Sequence, residues 1–196
     1  MNPRELAKPE EAAFDETGVK RVRTISGDAV WAAGDAGEFD LKLLDEVVTR
    51  FKDRPLPAGK TVREVVKEPI LFMIDYNDGL RTSILTMDGS NVSFAAGWRY
   101  ADGSTQSTDF WTQEFRPFQH FTFLLKGVEQ MVHTGQPTWP VERTLLTSGQ
   151  LDSLLISHKK QGQWIETPHL GTIKYQNAFN WQPPPPPPPD RPNEGQ

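Results

Sequence analysis

Apolar residues recur at two different periods along this chain, and the change of period divides it. Leu44, Val47, Val48 and Phe51 keep a helical step behind Asp40, whose side chain suits an N-cap. Pro55 and Pro57 stop that helix, and Thr61 to Glu64 has the spacing of a capping box opening a short helix before Pro69. Upstream, Val19 to Ile25 reads as a short strand and Gly27 to Gly34 as a helical turn around Val30 and Trp31. From Ile70 the pattern becomes strand-like. ILFMIDY, LRTSILTM, VSFAAGWRY and STQSTDFWTQEF are separated by Asp78-Gly79, Asp88-Gly89 and Asp102-Gly103. Asp-Gly between β-prone runs signals a hairpin, because both central residues of a type I′ turn need positive φ. Three in succession predict an antiparallel meander.

The helical period returns at Arg116 to Gly162. Phe118, Phe121, Leu125, Val128 and Val132 share one helix face, widened by Phe123, Leu124 and Met131, which predicts a helix buried over much of its girth. Pro117 suits its first turn, Gly135 its left-handed end, and Pro137 bars a restart. A second helix opens near Pro140, with Leu145, Leu151, Leu154 and Leu155 expected inward, and closes at Lys159, Lys160 and Gly162. The expectation is an α+β fold: an antiparallel open-faced sheet with helices packed on one face, and an edge strand at Ile173 to Tyr175. Ile70 to Tyr76 is apolar in both phases, so a bare second face around Met73 predicts a homo-oligomer packed sheet against sheet.

Composition narrows the class. The 196 residues carry a net charge of −5 and a pI near 5.4, which argues against a nucleic-acid partner held through phosphates. Lys20, Arg21 and Arg23 form a small basic group, expected on an exposed strand edge. With no cysteine, disulfides and thiolate metal sites are excluded. No apolar run reaches membrane-spanning length, and the expectation is a cytoplasmic protein. Residues 1–15 read as a flexible leader, 16–180 as one domain, and 181–196 as a disordered tail around the proline run Pro183 to Pro189.

The four histidines, His120, His133, His158 and His169, show no metal-ligand spacing; His133 and His158 suit helix C-termini, and His169 a loop. The richest polar group is Trp111, Gln113, Glu114, Arg116 and His120, where the last strand run meets the long helix. Such a junction can offer an acid, a guanidinium fork, an imidazole and an aromatic face to a sugar-like ligand. The plainer reading pairs Glu114 with Arg116 and makes His120 a cap. Trp98, Arg99 and Tyr100 form a second aromatic-basic group beside a turn, suited equally to a ligand or a hairpin end. Asp75, beside Asn77-Asp78-Gly79, reads as a turn residue.

The run TGQPTWPVERTLLTSGQLDSLL at Thr134 to Leu155, IETPHL at Ile165 to Leu170, and ETGVKRVRTISGDAVW at Glu16 to Trp31 resemble the C-terminal region of a divergent branch of the Gfo/Idh/MocA oxidoreductases. The resemblance covers roughly residues 16 to 176 and rests on turns, caps and core faces. It implies a substrate-binding and oligomerisation domain with an open-faced sheet. It also implies that NAD(P) is held in full-length relatives by a separate dinucleotide-binding domain. No G-x-G-x-x-G is present here, and Lys67-Glu68-Pro69 has the letters of the family's Glu-Lys-Pro motif in the wrong order. The expectation is therefore a gene fragment or split half with no cofactor site of its own, inactive alone. The alternatives are a non-catalytic carbohydrate-binding or assembly subunit, and a hydrolase or lyase using Glu114 and His120.

Overall fold

The computed structural model describes residues 18–49, 56–87, 94–110 and 119–174, without the side chains of Gln119, His120 and Phe123. The expected leader, the proline tail, Phe51 and the Asp88-Gly89 turn lie outside those residues.

Strand β1 (Val19–Ser26) leads through Gly27 into α1 (Asp28–Asp35), followed by α2 (Leu41–Thr49) and the short α3 (Val62–Val65). Two hairpins come next, β2 (Pro69–Tyr76) with β3 (Arg81–Met87), and β4 (Phe94–Arg99) with β5 (Thr105–Phe110). Helices α4 (Gln119–Thr134) and α5 (Val141–Lys159) precede a two-residue strand, β6 (Ile165–Glu166). The caps are those the sequence announces. Asp40 Oδ1 accepts from the Leu43 N–H at 3.0 Å, and Thr61 and Glu64 close a capping box.

The class is α+β with antiparallel sheets, but the expected four-strand meander divides. One sheet has the order β3-β2-β1-β6, and β4-β5 forms a separate ribbon. The ribbon lies on α2, where Gly97 leaves room for Leu43 and Val47 against the strand backbone. The added edge strand is β6 on β1, pairing Arg21 with Glu166 and Val22 with Ile165. Ile173 is not in a strand and packs instead beside the Val19–Leu170 cluster.

Both described Asp-Gly hairpins close differently from the expected type I′ turn. Only the glycines, Gly79 at φ 90° and Gly103 at φ 87°, have positive φ; Asp78 and Asp102 do not. The Tyr76 N–H donates to the Leu80 carbonyl and the Gly79 N–H to the Tyr76 carbonyl; Tyr100, Ser104 and Gly103 repeat the pattern. That is a type I turn followed by a left-handed glycine bulge. Asp78 and Asp102 instead accept from the N–H two residues on, at Leu80 and Ser104.

Helices reach both faces of the larger sheet, which corrects the expectation of one bare face. Strand alternation turns Ile25, Leu71 and Met73 one way, into a core with Val30, Trp31, Val48, Val62 and Val66 from the α1–α3 segment. Val22 and Ile74 turn the other way, to Leu146 and Leu154 of α5 and to Leu170. Met73, expected on the bare face, is 0 % exposed.

The α4–α5 pair also departs from expectation. Phe121, Leu125 and Val132 are 57, 64 and 73 % exposed, and no α4 residue joins either buried cluster. In α5 the inward residues are Leu146, Ser153, Leu154 and Ser157, whereas Leu145, Leu151 and Leu155 face outward. The reason is close approach. Ser157 Oγ accepts the Thr24 N–H at 2.9 Å, and Thr24 Oγ1 donates to the Leu154 carbonyl at 2.8 Å. Gly149 leaves space for the Leu170 side chain. Small residues, not the largest apolar ones, set which side of α5 meets the sheet.

Candidate functional site

The densest polar group in the described residues lies beyond the edge of the α1–α3 core. Alternation along β1 puts Arg21 and Arg23 on the face of Ile25, and the register sets Asp75 beside Arg21 and Arg81 beside Asp75. Asp75 accepts from Arg21 Nε at 2.8 Å and from Arg81 through Nε and Nη2 at 2.5 and 2.9 Å. Arg23 donates to the Gly162 carbonyl at 2.8 Å and to Glu38 at 2.9 Å. All three guanidiniums surround the Trp164 ring, 4.3, 5.8 and 5.4 Å from its centroid for Arg21, Arg23 and Arg81.

Three cations face two hydrogen-bonded carboxylates here, and Glu166 of β6 lies directly across from Arg21. Burial pushes the Asp75 carboxyl up, but the hydrogen bonds from Arg81 and Arg21 outweigh it and hold the pKa below the ordinary value. The Asp75 hydrogen bonds raise Arg81 in turn. Both Asp75 oxygens are engaged, and the group ties β1, β2, β3, Glu38 and the 162–164 turn together. Two expectations are corrected here. Asp75 does not serve the neighbouring turn, and Arg21 and Arg23 do not lie on a bare edge, because β1 is an inner strand. The signal was available in the period-two spacing of Arg21 and Arg23, opposite one acid on the next strand.

The expected site residues are not gathered in one place. Trp111, Gln113, Glu114 and Arg116 lie outside the described residues; His120 lies in the first turn of α4, and its side chain is not described. Arg99 donates to Asp40 at 2.8 Å through Nε and to the Gly103 carbonyl at 3.0 Å, tying the ribbon end to the start of α2. For Asp40, burial pushes the pKa up, and the Leu43 N–H and Arg99 outweigh it to leave the carboxyl lowered. Trp98 points to the ribbon's other face, opposite Gln106, and its buried Nε1 has no hydrogen-bond partner among the described residues. His169 is exposed in the turn anchored by Thr167, whose Oγ1 donates to the Val19 carbonyl at 2.9 Å, and by buried Leu170. Arg99 thus belongs to the α2 side of the sheet and His169 to the α5 side. His133 lies 3.8 Å from Glu129 on the surface of α4.

Among the described residues no group of three or more His, Asp or Glu is placed to hold a metal ion, and no helix is long and apolar enough to cross a membrane. Comparison with protein-family models, curated proteins and solved structures finds no match to this chain.

Proposed function

We propose that this chain is a cytoplasmic substrate-side and assembly module, similar to the C-terminal domain of Gfo/Idh/MocA sugar oxidoreductases. It takes a small sugar-like ligand, has no cofactor site of its own, and works beside a separate dinucleotide-binding domain. The observation that carries this reading is the junction between β1 and α1. A strand–glycine–helix junction is where phosphate-binding turns are built, because free N–H groups and the helix dipole face an anion there. Here the Gly27 N–H donates to the Pro69 carbonyl at 3.0 Å. Asp28 adds a carboxylate in the first turn, the place a pyrophosphate would occupy. The acids with lowered pKa that hold arginines, Asp40 and Asp75, join elements of the fold and support a scaffold in place of proton transfer.

Calorimetry with NADH and NADPH tests the reading. No heat of binding is expected from either nucleotide, and no sugar oxidation by the chain alone with NAD⁺ or NADP⁺. Micromolar affinity for either reduced nucleotide, or turnover without a second protein, overturns it.

A further inference from the structure

Strand β3 stands at the edge of the larger sheet, whose order is β3-β2-β1-β6. Its register fixes which backbone groups face inward. The Tyr76 N–H donates to the Leu80 carbonyl, so antiparallel alternation makes Ile74–Thr82, Phe72–Ile84 and Ile70–Thr86 the hydrogen-bonded pairs. The other parity of β2 is turned to β1: the Asn77 N–H donates to the Gly18 carbonyl, and the Pro69 carbonyl accepts from the Gly27 N–H. The backbone N–H and C=O groups of Arg81, Ser83, Leu85 and Met87 therefore point away from the sheet. Among the described residues none of them has a backbone partner. Sheet edges are commonly guarded by lysine, proline or a bulge, and Thr82 to Met87 carries none of these. Leu85 and Met87 lean on the α1–α3 core. Ile84 lies on the other face beside Phe72 and is 51 % exposed, because α5 lies over β1 and β6, at the far side of the sheet.

We infer that the β3 edge pairs antiparallel with the β3 edge of a second copy of this chain, about a two-fold axis at Ile84, so that the two sheets become one. The inference rests on the assembly role proposed above and names its partner. In this register the edge is complementary to itself. Ser83 faces Leu85 of the second copy and Arg81 faces its Met87, and each such pair exchanges two backbone hydrogen bonds. Every outward group from Arg81 to Met87 is then used, which an axis at another residue would not achieve. Charge is matched as well. Arg81, the one charged side chain of the strand, is already held by Asp75 and meets a methionine instead of its own copy. On the exposed face Thr82 meets Thr86 of the second copy, and Ile84 meets Ile84, extending the Phe72–Ile84 pair into an apolar row across the axis. A strand from another protein would gain the same backbone bonds, but the symmetric order Thr82, Ile84, Thr86 favours the chain's own copy.

Sedimentation of the full chain at micromolar concentration tests this, with the wild type expected as a dimer. Ser83→Pro removes an outward N–H that β2 does not use, and should weaken the dimer about 100-fold by leaving the facing carbonyl unpaired. Ile84→Lys and Ile84→Glu should each be monomeric alone and should dimerise when mixed, since the axis sets residue 84 against itself. That rescue requires both variants to fold. Because the chain has no cysteine, Ile84→Cys gives a second readout. Its Cα would stand about 4.5 Å from its copy, within disulfide reach, whereas Thr82→Cys would stand about 13 Å from its own. Oxidation should link the first variant and not the second. A monomeric wild type, a dimer indifferent to Ser83→Pro, charge variants that fail to rescue one another, or equal cross-linking by both cysteines would each overturn the inference. Nucleotide binding would overturn the functional reading instead, so the two failures are separable.

Discussion

Asp75 shows how much of this fold depends on a single side chain. It holds two arginines from the strands on either side of it, and its carboxyl is lowered because those hydrogen bonds outweigh its burial. A carboxyl whose folded pKa is lowered stabilises the native state above its unfolded pKa. That contribution is lost as pH falls from the ordinary carboxylate range through the folded value. Asp75→Asn should cost about 1–3 kcal/mol at neutral pH, since it strands two charged donors. It should also flatten the acid limb of the stability profile, as read by urea titration at stepped pH. Unchanged stability with the acid limb intact would show that Arg21 and Arg81 are satisfied elsewhere. A paired test concerns burial. Met73→Ala should cost about 2–5 kcal/mol, whereas Val132→Ala, at 73 % exposed on α4, should cost under about 1 kcal/mol. The helical step of Phe121, Leu125 and Val132 was legible in the sequence. Whether the stripe faces the sheet was not, because periodicity fixes a shared face without naming what lies against it.

Among the elements, α5 shows why the direction of a helix can be misread. Counting leucines points to Leu145, Leu151 and Leu155, yet the helix lies on β1 through Ser153, Ser157 and Gly149, where the backbones approach most closely. Gly149→Ala should therefore destabilise the protein by about 1–3 kcal/mol in a thermal or urea melt, because a Cβ there would stand 2.7 Å from Leu170. Loss of less than a few tenths of a kcal/mol would mean that Leu170 moves freely. The start of α2 was the more legible case. Asp40 was visible as a cap, but its second partner, Arg99, comes from a strand 59 residues away and no local pattern predicts it. Asp40→Ala should cost about 1 kcal/mol or more and release the end of the β4–β5 ribbon, seen as faster exchange of the ribbon amides. Asp78-Gly79 and Asp102-Gly103 correctly placed the two described hairpins. They could not give the turn type, which follows the left-handed glycine alone once the aspartate accepts an N–H two residues on.

For the whole molecule, the α+β class and the antiparallel pairing were legible because strand and helix periods differ. The covering of both sheet faces was not, since it depends on where α1–α3 and α5 come to rest. With both faces of β1 and β2 covered, large apolar side chains stay exposed on α4 and α5, at Ile84 on β3, and at Phe94 and Phe110 on the ribbon. Hydrogen exchange read by mass spectrometry tests the two-sided core most directly. The amides of β1 and β2 should be the slowest to exchange, and Val30→Ala on one face or Leu154→Ala on the other should each speed them. Exchange of β1 and β2 that either variant leaves unchanged would contradict it.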